Sequence, residues 1–190
     1  MRVLVMVTLF MTGSVLPVAA TTLAQLPLDE MARQSTSIVR AKVLSQKAIL
    51  RKGEVYTVYR LETLESLKRS GATEVVGEVA IPGGVAGGMR QVVSGAPELR
   101  EGSEYVLFLW TSRSGLTQLM GLSQGLFAVE SGGAKGDPMV RREAATERML
   151  DAAGRAVHDT ALVMPWSQFK TQVQQALRGR AEGPGPAGRK

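Results

Sequence analysis

The sequence contains no cysteine, and this absence excludes several kinds of chemistry. Thiol catalysis, thiolate metal sites and redox function all need that residue. Exported domains with small cores commonly depend on disulfides, so this chain must be held together by burial of apolar residues. Its 190 residues suffice for that, because a domain of about 150 residues buries most of its surface on folding. We therefore predict one domain without disulfides.

Histidine and aromatic residues are also scarce. His158 is the only histidine, and a single histidine does not build the usual zinc site. We interpret it as a solvated surface residue and predict no catalytic residue, no metal site and no cofactor. Trp110 and Trp166 are assigned to the core, which leaves few aromatic side chains for stacking on bases. Nucleic acid is therefore not expected as a partner.

The first residues, 1–20, have the pattern of a signal peptide. Arg2 supplies the positive region, residues 3–11 form an apolar run, and small residues precede Thr21. This order is typical of a cleaved secretory leader. We therefore expect a mature protein that begins at Thr21, is exported to the periplasm or the extracellular space, and has no stable membrane insertion after cleavage.

Several segments indicate β-strands. Apolar and polar residues alternate in 35–46 and again in 54–68, which is the period of a half-buried strand, and residues 52–53 (Lys-Gly) form a turn between them. The alternation slips after Leu64, which predicts a bulge there. Residues 105–110 are apolar on both faces, so we expect a central strand covered by a helix.

Three segments indicate helices. Residues 23–34 have a helix-start pattern with acidic residues in the first turn. Residues 143–153 are rich in good helix formers and predict a further helix. Residues 165–178 carry an apolar stripe at helical spacing, formed by Trp166, Phe169, Val173 and Leu177.

Together these patterns predict the fold class. We expect residues 21–178 to form a single mainly β domain, built as a five- or six-stranded OB-like barrel. A short N-terminal helix and an amphipathic C-terminal helix pack on it. Residues 179–190, rich in glycine, proline and basic side chains, are predicted to be a disordered basic tail.

A glycine-rich loop is the most distinctive feature of the sequence. No Lys-Ser or Lys-Thr follows its glycines, as a phosphate-binding loop would require. A structural turn with positive φ is one interpretation. Another is a site where the backbone of a partner approaches closely and Arg90 anchors a carboxylate. The candidate binding residues are Gly83, Gly84, Gly87, Gly88, Arg90 and Gln91.

Gln124 lies between apolar residues and has a predicted structural role. A buried amide side chain needs hydrogen-bond partners. If it is buried, we expect its partners to be free backbone groups of the glycine-rich loop.

Two short motifs carry a resemblance to a protein family. The sequences PGGVAGG (82–88) and SQGLF (123–127), within 23–130, resemble a group of uncharacterised exported bacterial proteins. The strand pattern of 35–68 also resembles the OB-type barrel of tissue inhibitors of metalloproteinases and netrin-like modules. Those inhibitors present an N-terminal cysteine, whereas this chain has none, so the resemblance implies the fold and no inhibitory residue.

These observations predict an exported, non-enzymatic binding protein. Its expected partner is a secreted protease or another exported protein or peptide, bound through the glycine-rich loop. The alternatives are a secreted hydrolase and an OB-type oligonucleotide binder. No oligomeric state is predicted.

Overall fold

The computed structural model describes residues 22–69, 71, 75–132 and 136–179. These residues form a mainly β fold with two α-helices. The predicted signal peptide and the predicted tail beyond Gly179 lie outside the described residues. No helix within these ranges is long and apolar enough to cross a membrane.

The helices are α1 (Leu28–Gln34) and α2 (Trp166–Arg178), and a short 3-10 helix spans Leu122–Gly125. The strands are β1 (Thr22–Ala24), β2 (Ser37–Arg51), β3 (Glu54–Lys68), β4 (Glu78–Pro82), β5 (Gly84–Ala86), β6 (Met89–Gln91), β7 (Glu104–Thr111), β8 (Thr117–Leu119), β9 (Leu126–Glu130), β10 (Met139–Arg142), β11 (Arg148–Leu150), β12 (Ala156–Val157) and β13 (Leu162–Pro165).

Most strands belong to one antiparallel sheet. Its order is β13-β10-β9-β7-β2-β3-β4, and β8 pairs with the end of β7 that lies beyond β9. A second, three-stranded sheet joins β1, β11 and β12, with β1 parallel to β11. β5 and β6 form a separate hairpin. This hairpin holds the glycine-rich loop.

The long hairpin of β2 and β3 gives the main sheet its curvature. Lys52 and Gly53 form its turn with positive φ angles of 52° and 85°, as predicted. The register of the pair shifts at Leu44, Leu64 and Leu67, each an extra residue without an opposite partner. The predicted bulge at Leu64 is confirmed. Since each bulge bends its strand and increases the local twist, β4 is carried round until it lies beside β8.

Two apolar cores lie on opposite faces of the sheet, and β7 serves both. Successive residues of a strand point to opposite faces, so Leu107 and Leu109 enter one core while Val106 and Phe108 enter the other. The strand core is enclosed by strands and loops and includes Val39, Val43, Tyr59, Leu61, Val79, Ile81, Leu99 and Tyr105. The helix core lies under α1 and α2 and includes Met31, Ile38, Phe127, Val140, Trp166, Phe169 and Val173.

The amphipathic helix predicted at the C-terminal end of the domain is confirmed as α2. Phe169 is fully buried, and its ring centroid lies 4.9 Å from that of Phe127 and 6.2 Å from that of Phe108. Lys170 pairs with Glu65 on β3 at 3.1 Å. The helix predicted at 23–34 forms only over α1, because Leu23 and Ala24 belong to β1. Both helices cover the same face of the sheet.

Two parts of the fold differ from the prediction. The main sheet has eight strands rather than five or six, and no hydrogen-bonded pair closes it into a barrel within the described ranges. The predicted helix at 143–153 does not form. Instead Met149 is fully buried in β11, which pairs with both β1 and β12. Strand pairing and burial here outweigh helix propensity, which is a weak preference.

The two tryptophans have different environments. Trp166 is 6% exposed and belongs to the helix core, as predicted. Trp110 is 45% exposed, so its assignment to the core is wrong. It lies near the end of β7, opposite Gln118 of β8, where neither helix covers the strand.

Candidate functional site

The glycine-rich loop is a tight β-hairpin. Ala86 pairs with Met89, which leaves Gly87 and Gly88 as a two-residue turn with φ angles of 58° and 74°. Positive φ at both central positions is the requirement of a type I′ turn, the commonest short connection between twisted strands. The interpretation of these two glycines as a structural turn is therefore confirmed.

One face of this glycine hairpin packs on the tip of the β2–β3 hairpin. The Gln91 side-chain Oε1 accepts a hydrogen bond from the Val55 N–H at 2.9 Å, and the Thr57 hydroxyl donates to the Gly83 carbonyl at 2.9 Å. A Cβ on Gly84 would lie 2.7 Å from the Thr57 Oγ1. The lack of a side chain at Gly84 therefore permits the two hairpins to approach closely, and the Gln91 hydrogen bond stabilises their contact.

The opposite face of the glycine hairpin is exposed and mainly apolar. Val85 is 63% exposed and lies directly opposite Arg90 across the hairpin, and Val92, which follows β6, is 80% exposed. Arg90 is exposed and has no ion-pair or hydrogen-bond partner among the residues that the structure describes. Large apolar side chains this exposed are unusual beside one another, and such patches mark interaction sites.

A groove of about 470 Å³ runs beside this exposed face. Four of the predicted binding residues line it: Gly83, Gly84, Arg90 and Gln91. Other lining residues include Gln46, Tyr59 and Glu98. Gly87 and Gly88 form the turn and do not line the groove, so the structure brings four of the six candidates to one place.

Gln124 is buried, but its partners differ from those expected. It is 1% exposed; its Oε1 accepts from the Leu26 N–H at 2.9 Å, and its Nε2 donates to the Ala24 carbonyl at 3.0 Å. These groups belong to the segment that contains β1, and not to the glycine-rich loop. Gln124 therefore ties the N-terminal part of the described chain to the main sheet.

The segment around Gln124 also holds a motif that the sequence-based prediction overlooked. Residues 121–125 read GLSQG, which matches the GxSxG pattern of hydrolases,. Here Leu122 has a φ of 55°, and Ser123 lies in a 3-10 helix that leads into β9. The Ser123 Oγ is buried without a hydrogen bond in the described part of the chain. A nucleophilic serine needs an adjacent base, and none is bonded to it here.

His158 does not build a site with its neighbour. It is exposed and makes no hydrogen bond to any described residue, whereas Asp159 accepts two hydrogen bonds from Arg142 at 2.7 and 2.8 Å. Burial raises the pKa of Asp159, but the hydrogen bonds from Arg142 and from the Ala145 N–H outweigh it and leave that pKa lowered. Asp159 is thus a structural counterion. Within the described ranges, no group of three or more His, Asp or Glu residues is placed to hold a metal ion.

A second cleft, which the sequence did not indicate, has a volume of about 610 Å³. It lies between the loop that precedes β7 and the segment that follows β10. Its lining includes Arg100, Tyr105, Ala128, Glu130 and Arg141. These residues come from three separate stretches of the chain, so no local sequence pattern could have revealed the cleft.

Comparison with known proteins suggests no function for the groove or the cleft. No family model matches the chain, and no curated protein matches it. The function of the protein must therefore be argued from its own surfaces.

Proposed function

We propose that this chain is an exported, non-enzymatic binding protein that holds an extended segment of another exported protein on the exposed face of its glycine hairpin. The observation that carries the proposal is the pair of exposed valines, Val85 and Val92, flanking an Arg90 that has no acidic partner in the described structure. An apolar strip with a free guanidinium suits a segment that presents apolar residues and a carboxylate.

The hairpin also offers backbone hydrogen bonds. β6 pairs with β5 on one side and has no strand on its other side among the described residues. An open edge of this kind is able to accept an extended segment as an added strand, in which the main chain provides affinity and side-chain contacts provide specificity. The neighbouring groove of about 470 Å³ would receive side chains of that segment. A secreted protease is one such partner, in keeping with the resemblance to inhibitor barrels.

We also propose that the fold is OB-like. Two observations support this. The strands around the strand core neighbour one another in the order β4-β3-β2-β7-β8, and β4 lies beside β8. A five-stranded, partly open barrel that binds through one face and its loops is the OB arrangement. Nuclear Overhauser contacts between amides of β4 and β8 would establish the arrangement, and their absence from the folded protein would contradict it.

The binding proposal is tested by affinity capture with a matched pair of variants. The mature chain from Thr21 is used as bait for an extract of exported proteins, alongside the double variant Val85→Ser/Val92→Ser and the control Val163→Ser. Val163 is 54% exposed on β13, at the far end of the main sheet from β4. We expect a protein retained by the wild type and the control to be lost from the double variant.

Binding of that purified protein is then measured directly. We expect the double variant and Arg90→Gln each to weaken binding by about tenfold or more, as the loss of a charged or well-buried contact does. Substituting Gly84 is unsuitable because it strains the hairpin itself. Equal affinity of the wild type and the folded double variant would refute the placement of the site.

A further inference from the structure

The 610 Å³ cleft has a floor whose shape follows from strand register. Ala128 of β9 lies between Tyr105 of β7 on one side and Arg141 of β10 on the other. Directly paired residues of neighbouring strands point to the same face of a sheet. A small side chain is thus flanked by two long ones, and the depression lies above Ala128. Leu126 and Pro97 add apolar lining.

One end of the cleft is negatively charged. Glu130 follows Ala128 by two positions on β9, so its carboxylate is on the same face, about 7 Å further along the strand, and it lines the cleft. Arg141, on the floor, forms an exposed pair with Glu143 at 2.6 Å. Exposed pairs of this kind are weak, so they do not hold the cleft shut against a ligand.

The wall of the cleft provides a positive group. Arg100 lies in the loop before β7, and its backbone N–H donates to the Tyr105 hydroxyl at 3.1 Å. That bond fixes the loop against the floor. Arg100 lines this wall of the cleft, alongside Ser103 and Pro97.

Two charged residues that line the cleft, one cation and one anion, form no salt bridge in the described structure. Glu104 is paired with Arg40 at 2.6 Å, and Arg142 with Asp159 at 2.7 Å. The pKa of Arg141 is raised by its hydrogen bond to Glu143 and, to a smaller extent, by the charge of Glu130. Across the described residues, Arg100 and Glu130 form no salt bridge, although both line the same cleft. A ligand that neutralised only one of them would leave the other unpaired, whereas a zwitterion would match both.

We propose that this cleft binds short peptides with free termini. The C-terminal carboxylate pairs with Arg100, the N-terminal ammonium pairs with Glu130, and the apolar side chains lie over Ala128. The volume is within the range of about 300–1,000 Å³ that is usual for small-molecule sites, and suits two to four residues. This site is separate from the glycine hairpin: of the residues that line its groove, only Pro97 also lines the cleft.

The test uses the tripeptide Ala-Leu-Ala in four forms: free termini, N-acetylated, C-amidated and doubly capped. Binding to the mature chain is measured by titration calorimetry at pH 7. We expect the free peptide to bind in the micromolar to millimolar range. Each cap should weaken binding by about two- to fivefold, which is the usual worth of an exposed ion pair. Equal binding of all four forms, or no binding of the free form at millimolar concentration, would overturn the proposal.

Three variants locate the site. Ala128→Leu fills the floor and should abolish binding; thermal unfolding shows whether it is folded. Arg100→Gln should weaken binding of the free peptide by about two- to fivefold but leave binding of the amidated peptide unchanged. Glu130→Gln should weaken the free peptide to the same extent and leave the acetylated peptide unchanged. Arg113→Gln, an exposed arginine outside the cleft, is the control. If Arg100→Gln weakened free and amidated peptides equally, Arg100 would not be the carboxylate partner, and the proposal would fail.

Discussion

Replacing Gln124 with leucine tests how the N-terminal segment is held to the sheet. Leucine has a similar volume, but it removes the acceptor for the Leu26 N–H and the donor for the Ala24 carbonyl. Leaving a buried polar group unpaired costs about 1–3 kcal/mol. Since Ala24 is exposed and Leu26 half-buried, water compensates in part, and we expect about 1 kcal/mol for each group, the lower end of that range. For a domain of this size, about 2 kcal/mol lowers the Tm by roughly 4–8 °C.

The measurement is thermal unfolding followed by circular dichroism, with Gln118→Leu as the matched control. Gln118 of β8 is half-buried, and its side chain makes no hydrogen bond to any described residue, so the same substitution there should change the Tm by no more than about 1–2 °C. Hydrogen exchange should also accelerate at the Gln25 and Leu26 amides. If both leucine variants unfolded at the same temperature, the two hydrogen bonds would contribute nothing, and the argument would be wrong.

Two further predictions concern the glycine hairpin and the Arg142–Asp159 ion pair. Gly84→Ala places a Cβ 2.7 Å from the Thr57 Oγ1 at a φ of 127°, and we expect it to lower the free energy of unfolding, measured in urea, by roughly 3 kcal/mol. In Gly88→Ala the new Cβ meets nothing within 4 Å, so we expect a loss of only about 1 kcal/mol. Equal losses would contradict the close approach of the glycine hairpin to Thr57. Asp159→Asn should destabilise the domain by roughly 1.5–3 kcal/mol at pH 7. Because the folded pKa of Asp159 is lowered, its contribution is full above about pH 4 and is lost as the pH falls through the folded pKa. The difference in stability between wild type and variant should therefore shrink in acid, and a difference independent of pH would rule out the carboxylate as its cause.

The local features of the fold were predictable because they depend on neighbouring residues. The slip in alternation at Leu64 indicated the bulge, and the apolar stripe of α2 indicated the face that Phe169 buries. The pair Gly87-Gly88 between short apolar stretches was a hairpin signal of the same kind. In each case the period of the sequence and the conformational range of glycine decide the outcome locally.

Features that depend on distant segments were not predictable. The burial of Gln124 followed from its apolar neighbours, but its partners lie a hundred residues away, in the segment of Ala24 and Leu26. The stretch around Met149 has the composition of a helix and becomes a strand because β1 and β12 pair with it. The peptide cleft depends on the register of β7, β9 and β10, and no local pattern specifies which residue faces Ala128.

The parallel pairing of β1 with β11 has a consequence for the order in which the chain folds. Thr22 pairs with Arg148, and the Gln25 N–H donates to the Leu150 carbonyl. β1 can therefore pair only when β11, far along the sequence, is in place. Contacts of such long sequence separation form slowly, because the entropy of closing the loop is lost before the contact is gained. We therefore expect β1 to be among the last of the described strands to reach its native position.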